Sequence, residues 1–218
     1  TLDANIDAMF GEMDLLAGYD YGQGQYVSRE LFDTVQGLPE VDVISPISLK
    51  MTDINDLSSV YTLGVENDAL VKSRYHFEQD VTKETVIISE LLAKTLAVAK
   101  GDSVTLNDKV YTVVEVLPTA MGAEPFHMAI VHKDELKESG FAALFMLIQT
   151  TKVQDVAQVL RTLDSQISID IVDDNDFVKM NLQNLLIYVV ILSVFVILIT
   201  ALLLLSTMQL LFTKLKEQ

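Results

Sequence analysis

The chain contains no cysteine. A disulfide-built exterior domain and thiolate metal sites are both excluded. Histidine is scarce, with His76, His127 and His132 the three present. His127 and His132 stand five apart and neither belongs to an H-E-x-x-H pattern, so the spacing of a helical zinc site is missing. G-x-S-x-G is absent, which removes the nucleophile elbow. The glycine-containing YGQGQ (21–25) lacks the Lys-Ser/Thr that a phosphate loop needs. Asp173, Asp174 and Asp176 could hold a cation, but acids at a helix N-terminus are the commoner explanation. No catalytic, cofactor or metal site is therefore expected, and no enzyme.

Positive charge is short as well. There are 15 lysines and arginines against 31 acids, a net charge of −16. From Lys179 onward the charges are Lys179, Lys214, Lys216 and Glu217, so residues 1–178 carry −18. Such a segment repels nucleic acid and anionic lipid headgroups. About 175 residues can supply an ordinary core without cross-links.

The last absence is of charge altogether. Between Met180 and Thr213 there is none, and LLIYVVILSVFVILITALLLLSTMQLLF (185–212) is nearly all apolar. A hydrocarbon core of about 30 Å needs about 20 such residues in a helix. In lipid a single segment satisfies its own backbone only as an α-helix. A transmembrane helix is expected; the alternative is a helix buried in a large soluble core. Lys214 and Lys216 place the C-terminus in the cytoplasm by the positive-inside rule and residues 1–180 outside the cell membrane. Thr1 is not a start methionine and no signal peptide is visible, so an upstream signal or span is expected.

Read in order, Leu2, Ile6, Met9, Phe10 and Met13 have helical spacing. MDLLAGY (13–19) reads as a strand, and Ser28 can cap a helix with Leu31, Phe32, Val35 and Leu38 on one face and Gly37 near its end. Val41 to Ile47 is β-branched, with Pro46 marking an edge or bulge. FMLIQ (145–149) reads as a second strand. Thr151 and Gln154 form a T-x-x-Q capping box, and Val153, Val156, Ala157, Leu160 and Leu163 share a helical face. Ile167, Ile169 and Ile171 alternate with polar residues. Two strand–helix–strand units, 13–48 and 145–172, predict a ferredoxin-like α/β sandwich.

Between them, SSVYTLGV (58–65) and VIIS (86–89) read as strands. Ser89 caps a helix with Leu91, Leu92 and Leu96, and Gly101 lies beyond its end. Two β-rich runs flank Asn107-Asp108, the signature of a tight hairpin. HMAIV (127–131) is a strand, followed by a short helix at 133–139 that Gly140 closes. The fold class is α+β. Its expected parts are an amphipathic helix (1–12) continuing from a missing upstream span, an α/β subdomain (13–54 and 126–173), an inserted mostly β subdomain (55–125), and a stalk plus transmembrane helix (174–213). Asp173 or Asp174 would cap that last helix. If continuous to Thr213, it has about 40 residues and spans roughly 60 Å. Phe177, Val178 and Leu182 then form an apolar stripe on the stalk, and Leu2, Ile6 and Met9 are its packing partners. Within the span, Ser193, Thr200 and Thr207 recur every seven residues and lie on one stripe. Small hydroxylated residues favour close helix–helix contact in lipid; the alternative is that they bond their own backbone.

The order of these segments resembles the FtsX/MacB-type ABC-transporter permease family. DLLAGYDYGQGQYVSRELFDTVQGLPEVDVISPIS (14–48) is similar to that family's opening strand, helix and "LPGV…V-P" strand, with Leu38, Pro39 and Val41 in place and Glu40 where glycine is usual. TVIISELLAKTLAVAKGDSVTLNDKVYTVVEVLP (85–118) is similar to its "ISe…GD…y-VvGv" stretch through Ser89, Ala93, Gly101, Asp102 and Tyr111, with Glu115 departing from a common glycine. The resemblance implies porter and sabre subdomains, a second permease subunit, an ABC ATPase subunit as the partner that hydrolyses ATP, the lipid bilayer, and an extracytoplasmic protein or substrate. It implies a multi-pass protein in which ATP hydrolysis moves the exterior domain. The competing expectation is a single-pass anchored sensor or binding module. Leucine at 193, 200 and 207 together should weaken assembly in a crosslinking assay while leaving membrane insertion intact.

Overall fold

The computed structural model describes residues 10–20, 22, 24–118, 126–136, 141, 143–172, 192, 193 and 200. The chain divides into two compact units, Asp3–Asp174 and Asn175–Gln218. The elements that follow belong to the first. They are β1 (Leu15–Gly18), α1 (Arg29–Gln36), β2 (Val43–Ile54), β3 (Leu57–Val65), α2 (Ala69–Tyr75), β4 (Thr85–Ser89), α3 (Glu90–Leu96), β5 (Ser103–Leu106), β6 (Lys109–Leu117), β7 (Met128–His132), a 3₁₀ turn (Lys133–Glu135), β8 (Phe145–Gln149), α4 (Val153–Leu163) and β9 (Ser168–Ile171).

Four strands make an antiparallel sheet in the order β2-β8-β1-β9. Each strand–helix–strand unit is split by a strand of the other. β8 lies between β1 and β2, and β1 lies between β8 and β9. Period-two alternation sends Leu15, Ala17, Met146 and Ile148 to one face, where Phe32 and Val35 of α1 and Val156, Ala157 and Leu160 of α4 complete the core. Pro46 sits where β2 pairs with β8 on one side of the sheet, the edge position a missing N–H tolerates. Ser28 caps α1 as expected, its Oγ accepting the Leu31 N–H at 3.0 Å.

The capping box at Thr151 and Gln154 is not formed. The N-cap of α4 is Lys152, without a side-chain cap bond. Thr150 supplies the hydroxyl instead: it accepts the Lys152 N–H at 3.0 Å and donates to the Glu40 carbonyl. This ties the start of α4 to the turn before β2, which a cap at Thr151 would not do. Leu163, expected on the buried face, is exposed at the last position of the helix.

After Ile47, β2 does not stop. Ser48 to Ile54 pairs with β3, and the ladder continues through β7, β4, β6 and β5. β5 returns to β2 at Leu106↔Ile54, closing a ring of six strands. Asn55 completes the seam. Its N–H donates to Thr105 O and its Oδ1 accepts the Thr105 N–H, both at 2.8 Å, from a left-handed backbone (φ 51°). Among the described residues each of the six barrel strands thus has a neighbour on both sides. Ile54, Val60, Val86, Ile88, Leu106, Val113 and Ala129 fill the interior together with Leu92 of α3. The buried Thr52 and Thr62 hydroxyls satisfy each other at 2.6 Å.

Asn107 and Asp108 take positive φ (47° and 65°) between β5 and β6, the predicted two-residue hairpin. Ser89 caps α3, but the left-handed residue that ends it is Ala97 (φ 53°), not Gly101. Gly101 (φ 97°) shapes the turn into β5. Val98 N–H already bonds the Ala93 carbonyl, so the helix closes a turn earlier than the glycine implies. β7, expected to lead into the second α/β unit, makes its ladders with β3 and β4 in the barrel. The short helix expected at 133–139 is a 3₁₀ turn over Lys133–Glu135, and 137–140 lie outside the described residues.

One element was not anticipated. α2 starts at Asp68, whose Oδ1 accepts the Val71 N–H at 2.9 Å while Oδ2 accepts the Ser45 hydroxyl at 2.8 Å. Ser45 and Ile47 alternate with Ile44, so α2 packs on the face of the sheet turned away from α1 and α4.

The barrel seam is testable. Asn55→Gly keeps the left-handed backbone but loses the Oδ1 acceptor and should cost about 1 kcal/mol. Asn55→Ala adds backbone strain of about 1 kcal/mol or more to the same loss. Denaturant midpoints of the two variants should fall in that order.

Candidate functional site

Among the described residues no catalytic constellation assembles. Among the described residues no group of three histidines or carboxylates is placed to hold a metal ion. His127 Nε2 meets Thr95 Oγ1 at 2.9 Å. His132 Nδ1 accepts the Asp134 N–H at 3.3 Å, and His76 is the left-handed residue ending α2. Each has a local structural task.

The stalk residues Leu2, Ile6, Met9, Phe177, Val178 and Leu182, and Thr207 of the span, lie outside the described residues. Ser193 and Thr200 are helical and exposed. Among the described residues no helix is long and apolar enough to cross a membrane; the 185–212 run falls almost wholly outside them.

The arrangement that stands out is where the chain enters and leaves the folded unit. β1, its first strand, and β9, its last, are antiparallel neighbours with Leu15 opposite Ile171. Asp14 ties that end together. Its N–H donates to Ile148 O at 3.0 Å, and its carbonyl accepts the Val172 N–H at 3.0 Å. Its Oδ2 accepts the Thr150 N–H at 2.7 Å. The inbound and outbound chains are thus held one strand spacing apart, about 5 Å. Residues 10–12, the lead-in to β1, also touch α2: the Glu12 N–H donates to Ser73 Oγ at 2.9 Å. Sequence reasoning missed both Asp14 and Ser73. The one local signal was Asp68 followed by Leu70 and Val71, a cap and an apolar pair.

Two tyrosine–carboxylate pairs brace the unit elsewhere. The Tyr19 hydroxyl donates to Asp164, the residue ending α4. Burial, then that hydrogen bond and the negative charge, raise the Tyr19 phenol to about 12. The bond from Tyr19, followed by the Gln166 N–H, holds the Asp164 carboxyl below its usual range. In the barrel the Tyr111 hydroxyl donates to Glu135, which Lys109 also meets at 2.6 Å. Burial pushes the Glu135 carboxyl up, but the bonds from Lys109 and Tyr111 and the charges of Lys109 and Lys83 outweigh it and leave it low. Burial and the same carboxylate raise the Tyr111 phenol. These pairs fix the 3₁₀ turn to β6 and α4 to β1. The lowered carboxyls stabilise the fold above their unfolded pKa values, and that contribution is lost as pH falls through the carboxylate range. The raised phenols stabilise it below about pH 10 and lose that contribution as pH rises. For Tyr19 the loss runs from about pH 10 to about 12. Tyr19→Phe should flatten the alkaline limb of denaturant midpoint against pH, and Asp164→Asn the acid limb.

No family profile and no curated protein matches the chain. Solved structures do. The periplasmic region of MacB from Actinobacillus actinomycetemcomitans is 11% identical, with a TM-score of 0.57 over 84% of this chain and 98% of that one. The extracellular domain of the noncanonic ABC-type transporter YknZ from Gram-positive bacteria is 14% identical (TM-score 0.48, 72% of this chain and 98% of that). A domain of a putative permease protein from Porphyromonas gingivalis is 13% identical (TM-score 0.45, 73% and 89%). The mixed α+β, sheet-dominated unit therefore shares the fold of the MacB periplasmic region.

Proposed function

We propose that the chain is the extracytoplasmic domain and second transmembrane helix of an FtsX/MacB-type ABC-transporter permease subunit. In this reading a partner ATPase hydrolyses ATP in the cytoplasm and the extracytoplasmic domain moves in response, driving export, extraction or signalling. The subunit itself is not an enzyme. It works with a second permease subunit in the cell membrane.

The observation that carries this is the pairing of β1 with β9 through Asp14. A domain whose inbound and outbound chains are locked side by side can be driven as a rigid body by two helices beneath it. A flexible linker would absorb the same motion. The apolar run 185–212 supplies the second of those helices, with Ser193, Thr200 and Thr207 facing neighbouring spans and Phe177, Val178 and Leu182 packing on Leu2, Ile6 and Met9. The −18 charge of residues 1–178 keeps the domain off anionic headgroups. The fold shared with a periplasmic region supports the same placement. The division into a porter-like subdomain and a sabre-like insertion belongs to this reading, but not at the expected bounds (13–54 and 126–173 against 55–125), because Ser48–Ile54 and β7 ladder with the barrel strands.

Inserting Gly-Gly after Met180 tests the lever. ATP hydrolysis by the assembled transporter should persist while substrate or signalling output falls at least tenfold. Output that survives the insertion, or a full-length chain that binds no ATPase, rejects the proposal. A single-pass sensor would bind its ligand unchanged after the same insertion.

A further inference from the structure

The lead-in segment does not run straight into β1. It first meets α2, a helix lying in sequence between the barrel strands β3 and β4. Gly11 has φ +62°, and a Cβ there would lie 2.5 Å from the Ser73 carbonyl carbon and 2.6 Å from its Oγ. Both the backbone and the contact therefore call for glycine. The Glu12 N–H donates to Ser73 Oγ at 2.9 Å. The Arg74 guanidinium stands 5.5 Å over the Phe10 ring, within cation–π range. Three successive residues of the lead-in thus bear on two successive residues of α2.

α2 packs on β2 and β8, and its Lys72 meets the Glu78 carbonyl and Asp80 in a segment whose Glu78 and Gln79 N–H groups donate to Glu115 of β6 in the barrel. Asp68, its cap, holds Ser45 in the part of β2 that belongs to the four-stranded sheet. Asn67 pins the segment leading to β4: its Nδ2 donates to Val81 O at 2.8 Å and its Oδ1 accepts the Val81 N–H at 2.9 Å. Buried Leu70 and Val71 anchor the helix. A shift of residues 10–12 has two routes into the unit. One is along β1 into the sheet, and the other is across Ser73 into α2 and on to β3 and β4.

We infer that α2 is the strut through which displacement of the lead-in segment reaches the barrel, with Gly11 and Ser73 as its positioning residues. This rests on the permease reading only in naming ATP hydrolysis as the source of the displacement.

Hydrogen exchange on the full 218-residue chain in detergent micelles tests the strut. Ser73→Ala removes one acceptor without adding bulk, and the Glu12 amide should exchange roughly two- to tenfold faster. Gly11→Ala drives the lead-in off the helix. Exchange should then rise across residues 65–81 while β1 and β9 keep their protection. Unchanged exchange at 65–81 in Gly11→Ala, or a loss falling on β1 and β9 instead, overturns the inference. Should Gly11→Ala fail to fold, the double variant Ser73→Ala/Arg74→Ala decides on the same readouts. A second arm uses the full-length permease with its ATPase. An ATP-dependent change at 65–81 that Gly11→Ala abolishes supports the strut, and one that Gly11→Ala leaves intact overturns it. No ATP-dependent change in the unsubstituted protein overturns the permease reading, while the micelle experiment still decides the strut.

Discussion

Everything in the folded unit depends on β2 being one strand. It is twelve residues long, about 40 Å at the usual rise, and its first part is laddered to β8 while its second is laddered to β3. A sheet and a barrel joined by a loop would move independently. Joined by a continuous hydrogen-bonded strand, they resist bending, because each ladder holds its half of β2 against twist. α2 reinforces the same joint from the outer face of the sheet, through Asp68 and Ser45.

That joint gives the Asp14 region its consequence. The chain enters and leaves through neighbouring strands, so any force on the two ends arrives at one edge of the sheet. From there β1 passes it to β8, β8 to β2, and β2 carries it into the barrel. Among the described residues the barrel strands pair in a closed ring around a packed apolar interior, so the barrel deforms little. The fold is shared with the MacB periplasmic region at 11% identity. A fold can persist at such identity because cores tolerate wholesale hydrophobic exchange when volume and patterning are kept.

Much of this was legible. The Ser28 and Ser89 caps, the Asn107-Asp108 hairpin and the β8 strand follow from local chemistry, in which a hydroxyl caps its own helix and two residues that tolerate positive φ turn a hairpin. The T-x-x-Q box at Thr151 was misleading because the neighbouring Thr150 hydroxyl bonds Glu40, more than a hundred residues away. α2 has no clear signature in the sequence, because seven residues with one short apolar pair carry almost no periodicity. The candidate site was the least legible part. Asp14, Gly11 and Ser73 are ordinary residues whose roles exist only in their contacts.

The sequence by itself determined which segments could be strands or helices, that disulfides and thiolate chemistry are excluded, and that an apolar run of membrane length follows an acidic stretch. Tertiary structure decided which strands pair. The β-branched run ends at Ile47, yet pairing with β3 carries the strand on through Ile54. β7 could have joined either lobe, and its ladders with β3 and β4 place it in the barrel. Asn55 closes the barrel only because Thr105 arrives beside it. Local preferences act over a few residues and a fraction of a kcal/mol each. Pairing across fifty or more residues is decided by the burial and hydrogen bonding of the whole unit, which no local window contains.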